Sequence, residues 1–370
     1  MVHNAQTRRK KRAAKVLEIN EKLAQIEATP LHTKEILYTV QHTSIGQLRA
    51  LFSHKQSPIH DQDLASYYNN EFIRFSSNPE TTLIIKGNDG GIIACRSSLK
   101  DNSILNNIST SLKDLPQYKT TPTNHSATRR GQYPYRHYCV WSPYSKTPFL
   151  SKEFRLDGTP AELFMNNGDA LWEEMSTLLG RYFKGTYKEF MRHSLPNGLK
   201  RMAGVWMGVV INIGQENAPV ETEAHQDVQE SKNGFSCLCP FGEYVGGALI
   251  LWELHYIVEL QPGEIFIFPD AIIHHSNEPV TGTRHSIVAI TQQNMLDYFI
   301  RKYQLKNLPN KRWRPSNKIV KSKQEIKHEK WLRKEQVKAR FIPSSNQEKR
   351  KPTIQHKKAS RKQRQKEKCK

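Results

Sequence analysis

Residues Val258 to Val288 read VELQPGEIFIFPDAIIHHSNEPVTGTRHSIV. Short apolar runs alternate here with turn chemistry. Pro262-Gly263 suits the two central positions of a type II turn, where glycine supplies the positive φ. Ile265 to Phe268, Ala271 to Ile273 and Arg284 to Thr291 read as strands. Working outward, Val205 to Ile213, Phe235 to Pro240, Ala248 to Leu251 and Tyr256 to Leu260 have the same texture, and Gly246-Gly247 marks another tight bend. So many short strands at such close spacing predict an antiparallel sandwich or jelly roll. Trp206, Trp252 and the aromatics of Ile265 to Phe268 are expected in its core. Cys237 and Cys239 are expected to alternate inward and outward on a strand as small hydrophobes.

Upstream the pattern turns helical. Val16, Ile19, Leu23 and Ile26 recur at steps of three and four, and Thr29-Pro30 stops them, which predicts a short docking helix. Residues 60 to 77 read as helix, and Thr81 to Arg96 as a hairpin about Gly87 to Gly91. Between Pro160 and Phe190 the apolar spacing predicts one or two amphipathic helices broken near Asn166 to Gly168. Met295 to Tyr303 predicts a final helix. The stretch from Pro116 to Pro148 is rich in Pro, Thr, Tyr and Arg. It reads as a functional or poorly ordered loop, with Arg129, Arg130, Tyr133, Tyr135 and Arg136 as candidate contacts.

The 370 residues carry 56 Lys and Arg against 35 Asp and Glu, a net charge of +21. Residues 301–370 hold 26 of those bases against 5 acids, so the excess belongs to the tail and the remainder balances. A second basic cluster runs from Arg8 to Arg12. Each Lys or Arg placed on a phosphate releases about one counterion, so such segments suit a nucleic acid, DNA above all. The tail, interrupted by Trp313 and Trp331, cannot build a core; Lys321 to Phe341 is expected to be partly helical. Five scattered cysteines without a CxxC argue against a disulfide framework and a Cys-ligated zinc site, and point to a reducing compartment. No apolar run approaches the roughly 20 residues of a membrane span, and the N-terminus is charged where a signal peptide is apolar. These features predict an intracellular protein, placed in the nucleus by its basic clusters, with no membrane partner. Its oligomeric state has no signature in the sequence.

The chemistry concentrates in His225-Gln226-Asp227, which follows one strand, and in His274-His275, several strands later. Two imidazoles and one carboxylate hold non-haem Fe(II) on one face and leave the opposite face open. Arg284 can form a bidentate fork with a carboxylate, and Ser286, two residues on, points to the same face of its strand. The ordinary alternatives are a hydrogen-bonded loop pair for His225 and Asp227, a satisfied strand histidine for His274 or His275, and a surface ion pair for Arg284.

The runs HQDVQ (225–229), FSCLCPFGEYVGGALILWEL (235–254) and the quoted 258–288 stretch resemble the 2-oxoglutarate/Fe(II) dioxygenases, and among them the TET/JBP-like members and their fungal relatives. The likeness covers residues 200–300 well and 60–200 loosely. It implies an α+β chain with a double-stranded β-helix (jelly roll) flanked by N-terminal helices and a hairpin, ending in a basic, disordered or partly helical tail. The corresponding boundaries are a basic N-terminus with docking helices over 1–59, a dioxygenase domain over 60–305 with its core at about 200–300, and the tail over 306–370. It implies Fe(II) held by His225, Asp227 and His275, and 2-oxoglutarate as co-substrate anchored by Arg284 and Ser286. His275 is preferred to His274 because HSN matches the family's distal H-x-N and because strand alternation turns only one neighbour inward. Glu230 and Gln292 stand where TET-like relatives place an Asn and a His near the base. His255 is a further candidate cofactor contact, and the proximal 2-oxoglutarate arginine is not assignable. The expected activity is oxidation of a nucleobase, with 5-methylcytosine in DNA as leading substrate. The alternatives are the same chemistry on a protein side chain or an N-methylated base, or a catalytically silent jelly-roll module of a nucleic-acid-binding protein.

Overall fold

The computed structural model describes residues 2–51, 61–67, 71–116, 133–143, 147–215 and 220–307. Met1–Asn307 form one compact unit; a second unit, Leu308–Lys370, holds most of the basic tail and lies outside the described residues, as does Lys321 to Phe341.

The helices are α1 (Val2–Ala28), α2 (Ile45–Leu51), α3 (Asp61–Tyr67), α4 (Ser103–Lys113), α5 (Lys152–Asp157), α6 (Thr159–Asn167), α7 (Asp169–Tyr182), α8 (Lys184–Met191) and α9 (Gln293–Asn307). The strands are β1 (Lys34–Thr39), β2 (Ile73–Phe75), β3 (Thr81–Lys86), β4 (Ile92–Ser98), β5 (Tyr135–Trp141), β6 (Phe149–Leu150), β7 (Gly208–Asn212), β8 (Ser236–Gly246), β9 (Leu249–Leu251), β10 (Tyr256–Val258), β11 (Glu264–Phe268), β12 (His275–Asn277) and β13 (Val280–Ile290). Nine strands make one sheet in the order β1-β3-β4-β11-β8-β13-β7-β5-β6, and four make another in the order β12-β9-β10-β2.

Alternation divides the large sheet into two faces. Ile265 and Ile267 of β11, Cys237 and Cys239 of β8, and Ile287 and Ala289 of β13 join one buried cluster with residues of α1, α4, α6, α7 and α8. Phe266, Phe268 and Leu238 lie in a second cluster with Leu249 and Leu251 of β9 and Tyr256 and Val258 of β10, and Val288 packs against it. Helices therefore cover one face, and the small sheet covers the other. Cys237 and Cys239 do not point opposite ways as expected. They are two residues apart, share the helix-covered face and are both fully buried.

The N-terminal helix is longer than its apolar spacing predicts. The helix begins well before Val16, and Val16 and Leu17 are exposed while Ile19, Leu23 and Ile26 are buried against the α7–α8 side. At about 1.5–3 kcal/mol per fully buried large aliphatic side chain, those three anchors hold the second half of α1 to the body. Residues 60 to 77 are not one helix. Ile73–Phe75 form β2, because parallel pairing with β10 satisfies their backbone. Ala271 to Ile273 form a turn, and the strand begins at His275. The Pro116–Pro148 stretch contains a strand after all: β5 pairs with β7, and its inward Arg136 is neutralised by Asp157 at 3.1 Å. Residues 117–132 and 144–146, with Arg129 and Arg130, lie outside the described residues. The break at Gly168 separates α6 from α7 as its sequence suggests. Pro262 and Gly263 occupy the centre of a turn closed by the Glu264 N–H on the Gln261 carbonyl, with Gly263 at φ +87°.

Candidate metal centre

The segment before β8 and the start of β12 meet as a two-residue antiparallel bridge, His225 against His275. His275 also pairs with Leu251 of β9, whose side chain belongs to the cluster between the sheets, so His275 points into the same space. Its ring stands edge-on to Phe268 at 5.0 Å. Asp227 is fixed two residues after His225 by its N–H on the Asp270 carbonyl (3.0 Å).

The side chains converge. His225 Nε2 lies 4.0 Å and His275 Nε2 3.8 Å from Asp227 Oδ2, and one donor atom from each of the three falls within 4.8 Å of the others. Both rings turn Nδ1 toward a carbonyl, His225 to Glu223 at 2.7 Å and His275 to Ile273 at 3.0 Å. Those bonds place the proton on Nδ1 and leave Nε2 of each ring as a lone-pair donor facing the carboxylate. Two neutral nitrogen donors and one anionic oxygen, partly open to solvent, fit a divalent first-row metal with positions to spare. His274 is engaged elsewhere: its Nδ1 meets Glu253 Oε1 at 2.5 Å.

Arg284 and Ser286 lie on β13 at even positions, the parity of Val288, and so on the face toward the small sheet. The Arg284 side chain is buried, with 1% of the residue exposed. Its Nη1 donates to the Val220 carbonyl (3.2 Å), while among the described residues buried Nε and Nη2 have no hydrogen-bond acceptor and no carboxylate pairs with the side chain. The guanidinium lies over the Tyr244 ring at 5.6 Å. Burial lowers its pKa, opposed by Tyr244 and Tyr133. A buried cation with idle donors is costly unless an anion arrives. A carboxylate-bearing ligand would supply that anion. Ser286 Oγ accepts from Asn212 Nδ2 at 3.0 Å, which keeps its proton for another acceptor. Gly247, at φ +70°, gives this arginine room: a Cβ there would come within 3.1 Å of Arg284 Cδ.

Asn277, of the HSN run, ties the two ligand segments together. Its N–H donates to the Thr222 carbonyl (3.0 Å), and Thr222 Oγ1 donates to its Oδ1 at 2.7 Å. Glu230 and Gln292, far apart in the chain, form a bridge pair, and the Gln292 side chain accepts from Asn294 Nδ2 at 2.9 Å. His255 is not drawn into the three-donor group. It caps the 3-10 turn Trp252–Leu254 with φ +56° and stacks on His42 at 4.7 Å. Tyr244 has no motif to mark it in the sequence, and its place in steps of two from Leu238 along β8 puts it on the face toward the small sheet.

No family model matches the chain, and no curated protein matches it. Among solved structures it is similar to NgTET1 in complex with 5mC DNA, at 11% identity over 65% of this chain and 95% of that one, TM-score 0.47. It is also similar to OsALKBH1, at 14% identity over 54% and 96%, TM-score 0.33. A third is an oxidoreductase of the 2OG-Fe(II) oxygenase family from Burkholderia pseudomallei, at 13% identity over 71% and 98%, TM-score 0.30.

Proposed function

We propose that the chain is an Fe(II)- and 2-oxoglutarate-dependent dioxygenase that oxidises a nucleobase, with the methyl group of 5-methylcytosine in DNA as its substrate, and that its two sheets are the halves of a double-stranded β-helix. One observation carries the chemistry: a two-imidazole, one-carboxylate group and a buried arginine with idle donors face the same space between the sheets. His225, Asp227 and His275 would hold the metal, and Arg284 with Ser286 would hold the distal carboxylate of the co-substrate.

When bound, iron with 2-oxoglutarate and oxygen supplies an oxidant able to break an unactivated C–H bond. The protein's part is orientation and exclusion of water. Main-chain bonds between His225 and His275 fix the donors, and the Phe268 ring shields one side of His275. Arg284, desolvated and preorganised, neutralises a carboxylate without having to rearrange. A base inside a duplex cannot reach this interior, so it must be flipped out at a cost of a few kcal/mol.

The nucleic-acid part of the proposal rests on charge. The basic cluster Arg8 to Arg12 lies on α1, residues 301–370 are strongly basic, and both suit phosphate. The same clusters support a nuclear location. Among the described residues no helix is long and apolar enough to cross a membrane.

The test is incubation of the full chain with Fe(II), 2-oxoglutarate and methylated or unmethylated DNA, with succinate and nucleosides quantified. Methylation-dependent succinate with oxidised cytosine supports the proposal. Succinate formed only with an N-methylated base or a protein moves the substrate and keeps the chemistry. No succinate with any substrate leaves the silent-module reading.

A further inference from the structure

The peptide units that receive the two imidazoles have a second occupation. The Glu223 carbonyl accepts from His225 Nδ1 at 2.7 Å, and the N–H of that same peptide unit, on Ala224, donates to Asp61 Oδ1 at 2.6 Å. The Ile273 carbonyl accepts from His275 Nδ1 at 3.0 Å, and the N–H of that unit, on His274, donates to Glu253 Oε2 at 2.8 Å. Both halves of the site are thus wired in one order: carboxylate, peptide unit, imidazole, and an Nε2 facing Asp227. Asp61 opens α3 and Glu253 belongs to the 3-10 turn after β9, so two unrelated parts of the chain supply the same chemistry.

We propose that Asp61 and Glu253 are positioning residues of the metal centre, acting through peptide units 223–224 and 273–274 to hold each imidazole at its angle and to strengthen Nε2 as a donor. The inference rests on the metal reading above. A histidine ligand ordinarily gives its other N–H to a carboxylate or a backbone carbonyl, which fixes the tautomer and raises the ligand's basicity. Here the carbonyl is the direct partner and the carboxylate acts one bond further out. An anion on the N–H end of a peptide polarises its carbonyl oxygen, and hydrogen bonds in such a chain strengthen one another by about 10–30% per bond. With an ion bound, the two distant carboxylates add negative charge that Asp227 alone does not provide.

The carriers are built to keep this geometry. Glu253 is 12% exposed and its second oxygen is occupied by His274 Nδ1, so its carboxylate is held at both ends. Leu64 of α3, Ala224 and Trp252 form one small buried cluster, which joins the element bearing Asp61 to the turn bearing Glu253. Trp252 Nε1 also donates to Ser276 Oγ at 3.0 Å, next to His275.

A purely structural role would need only an acceptor for two shielded amides. Asp61→Asn and Glu253→Gln keep an acceptor oxygen and remove the charge, so they separate the two roles. The experiment is anaerobic titration of the metal-free full chain with Co(II), reading affinity and visible absorption, beside the melting temperature of the metal-free protein. Each variant is expected to bind Co(II) about tenfold more weakly with a changed spectrum, and the double variant more weakly still. Glu253→Asp, which keeps the charge, should regain part of the loss. Because the sites are tested separately, a variant that fails to fold leaves the other to decide. Wild-type affinity and spectrum in the folded variants would overturn the proposal. If wild type and His225→Ala bind Co(II) equally, the metal reading itself fails and this inference with it.

Discussion

His225 and His275 exchange two main-chain hydrogen bonds, each N–H on the other's carbonyl, at 3.1 and 3.0 Å. The backbone, more than the rotamers, sets the distance between the imidazoles. Their side chains and that of Asp227 keep some solvent exposure, 15%, 9% and 21%, so trimming one creates little cavity. His225→Ala and Asp227→Ala are expected to lower metal affinity by more than about 100-fold, beyond the 10–100-fold range of outer-shell changes. The melting temperature of the metal-free protein should stay nearly unchanged. Equilibrium dialysis with Fe(II) and calorimetry check both halves of this expectation.

Arg284→Met gives an asymmetric outcome. Replacing a buried, incompletely paired charge by an apolar side chain is often neutral or stabilising, so the ligand-free variant should melt no earlier than wild type. Removing one partner of a buried charge pair costs about 2–5 kcal/mol in binding. The KM for 2-oxoglutarate should rise about thirtyfold or more, and 2-oxoglutarate should cease to raise the melting temperature. An early-melting variant with an unchanged KM would make Arg284 a structural residue only.

His285, between Arg284 and Ser286, faces the helix side, where its Nδ1 accepts the Gly214 N–H at 3.0 Å and its ring packs on Phe241. Burial holds its pKa down at about 4, against an ordinary 6.5. His193, buried and stacked on Phe299, is held down to about 4 in the same way. With the folded values depressed, the unfolded chain takes up protons first. Stability is then fully present above about pH 6.5 and falls as pH drops toward 4, with a slope up to about 1.4 kcal/mol per pH unit for each group. His285→Asn keeps an acceptor and removes the titration, so its urea midpoint should fall less steeply over that window. Equal slopes in variant and wild type would contradict this.

Gly247→Ala tests how closely Arg284 is fitted. The φ of +70° is strained for alanine, and its Cβ would meet Val280 Cγ2 at 2.8 Å and Arg284 Nε at 3.2 Å. A cost of about 1–3 kcal/mol in stability is expected from the backbone alone. Displacement of the guanidinium should raise the KM for 2-oxoglutarate while Co(II) affinity stays near wild type. A parallel loss of both would point to general loosening.

Much of the β core is legible because its signals are local. The Pro262-Gly263 turn, the strands on either side of it and the hairpin before Arg96 follow from neighbouring residues, and so does the His225 to Asp227 spacing. What escapes a sequence reading depends on distant partners. β5 hides because Arg136 occupies an inward position, and only Asp157 makes that tolerable. β1, exposed along its length, and β2, in which only Phe75 is buried, are edge strands defined by β3 and β10 more than by their own side chains. His274 and His275 are the same residue type side by side, and in the sequence only the HSN spacing and strand alternation favour His275. The bridge to His225 and the hold of Glu253 separate them in the fold. The carboxylates behind the imidazoles leave no motif, since they join the site through backbone amides.

β13 carries two messages in alternating residues, with Arg284 and Ser286 turned to one side and His285 and Ile287 to the other. A single insertion or deletion between Gly282 and Arg284 would exchange them. It would drive a charge into the helix-packed layer and leave an isoleucine facing the small sheet in place of the arginine. The middle of β13 can therefore vary by replacement but not by length. A homologue with a gap there would have to give up either its packing or its chemistry, whatever the rest of its sequence preserved.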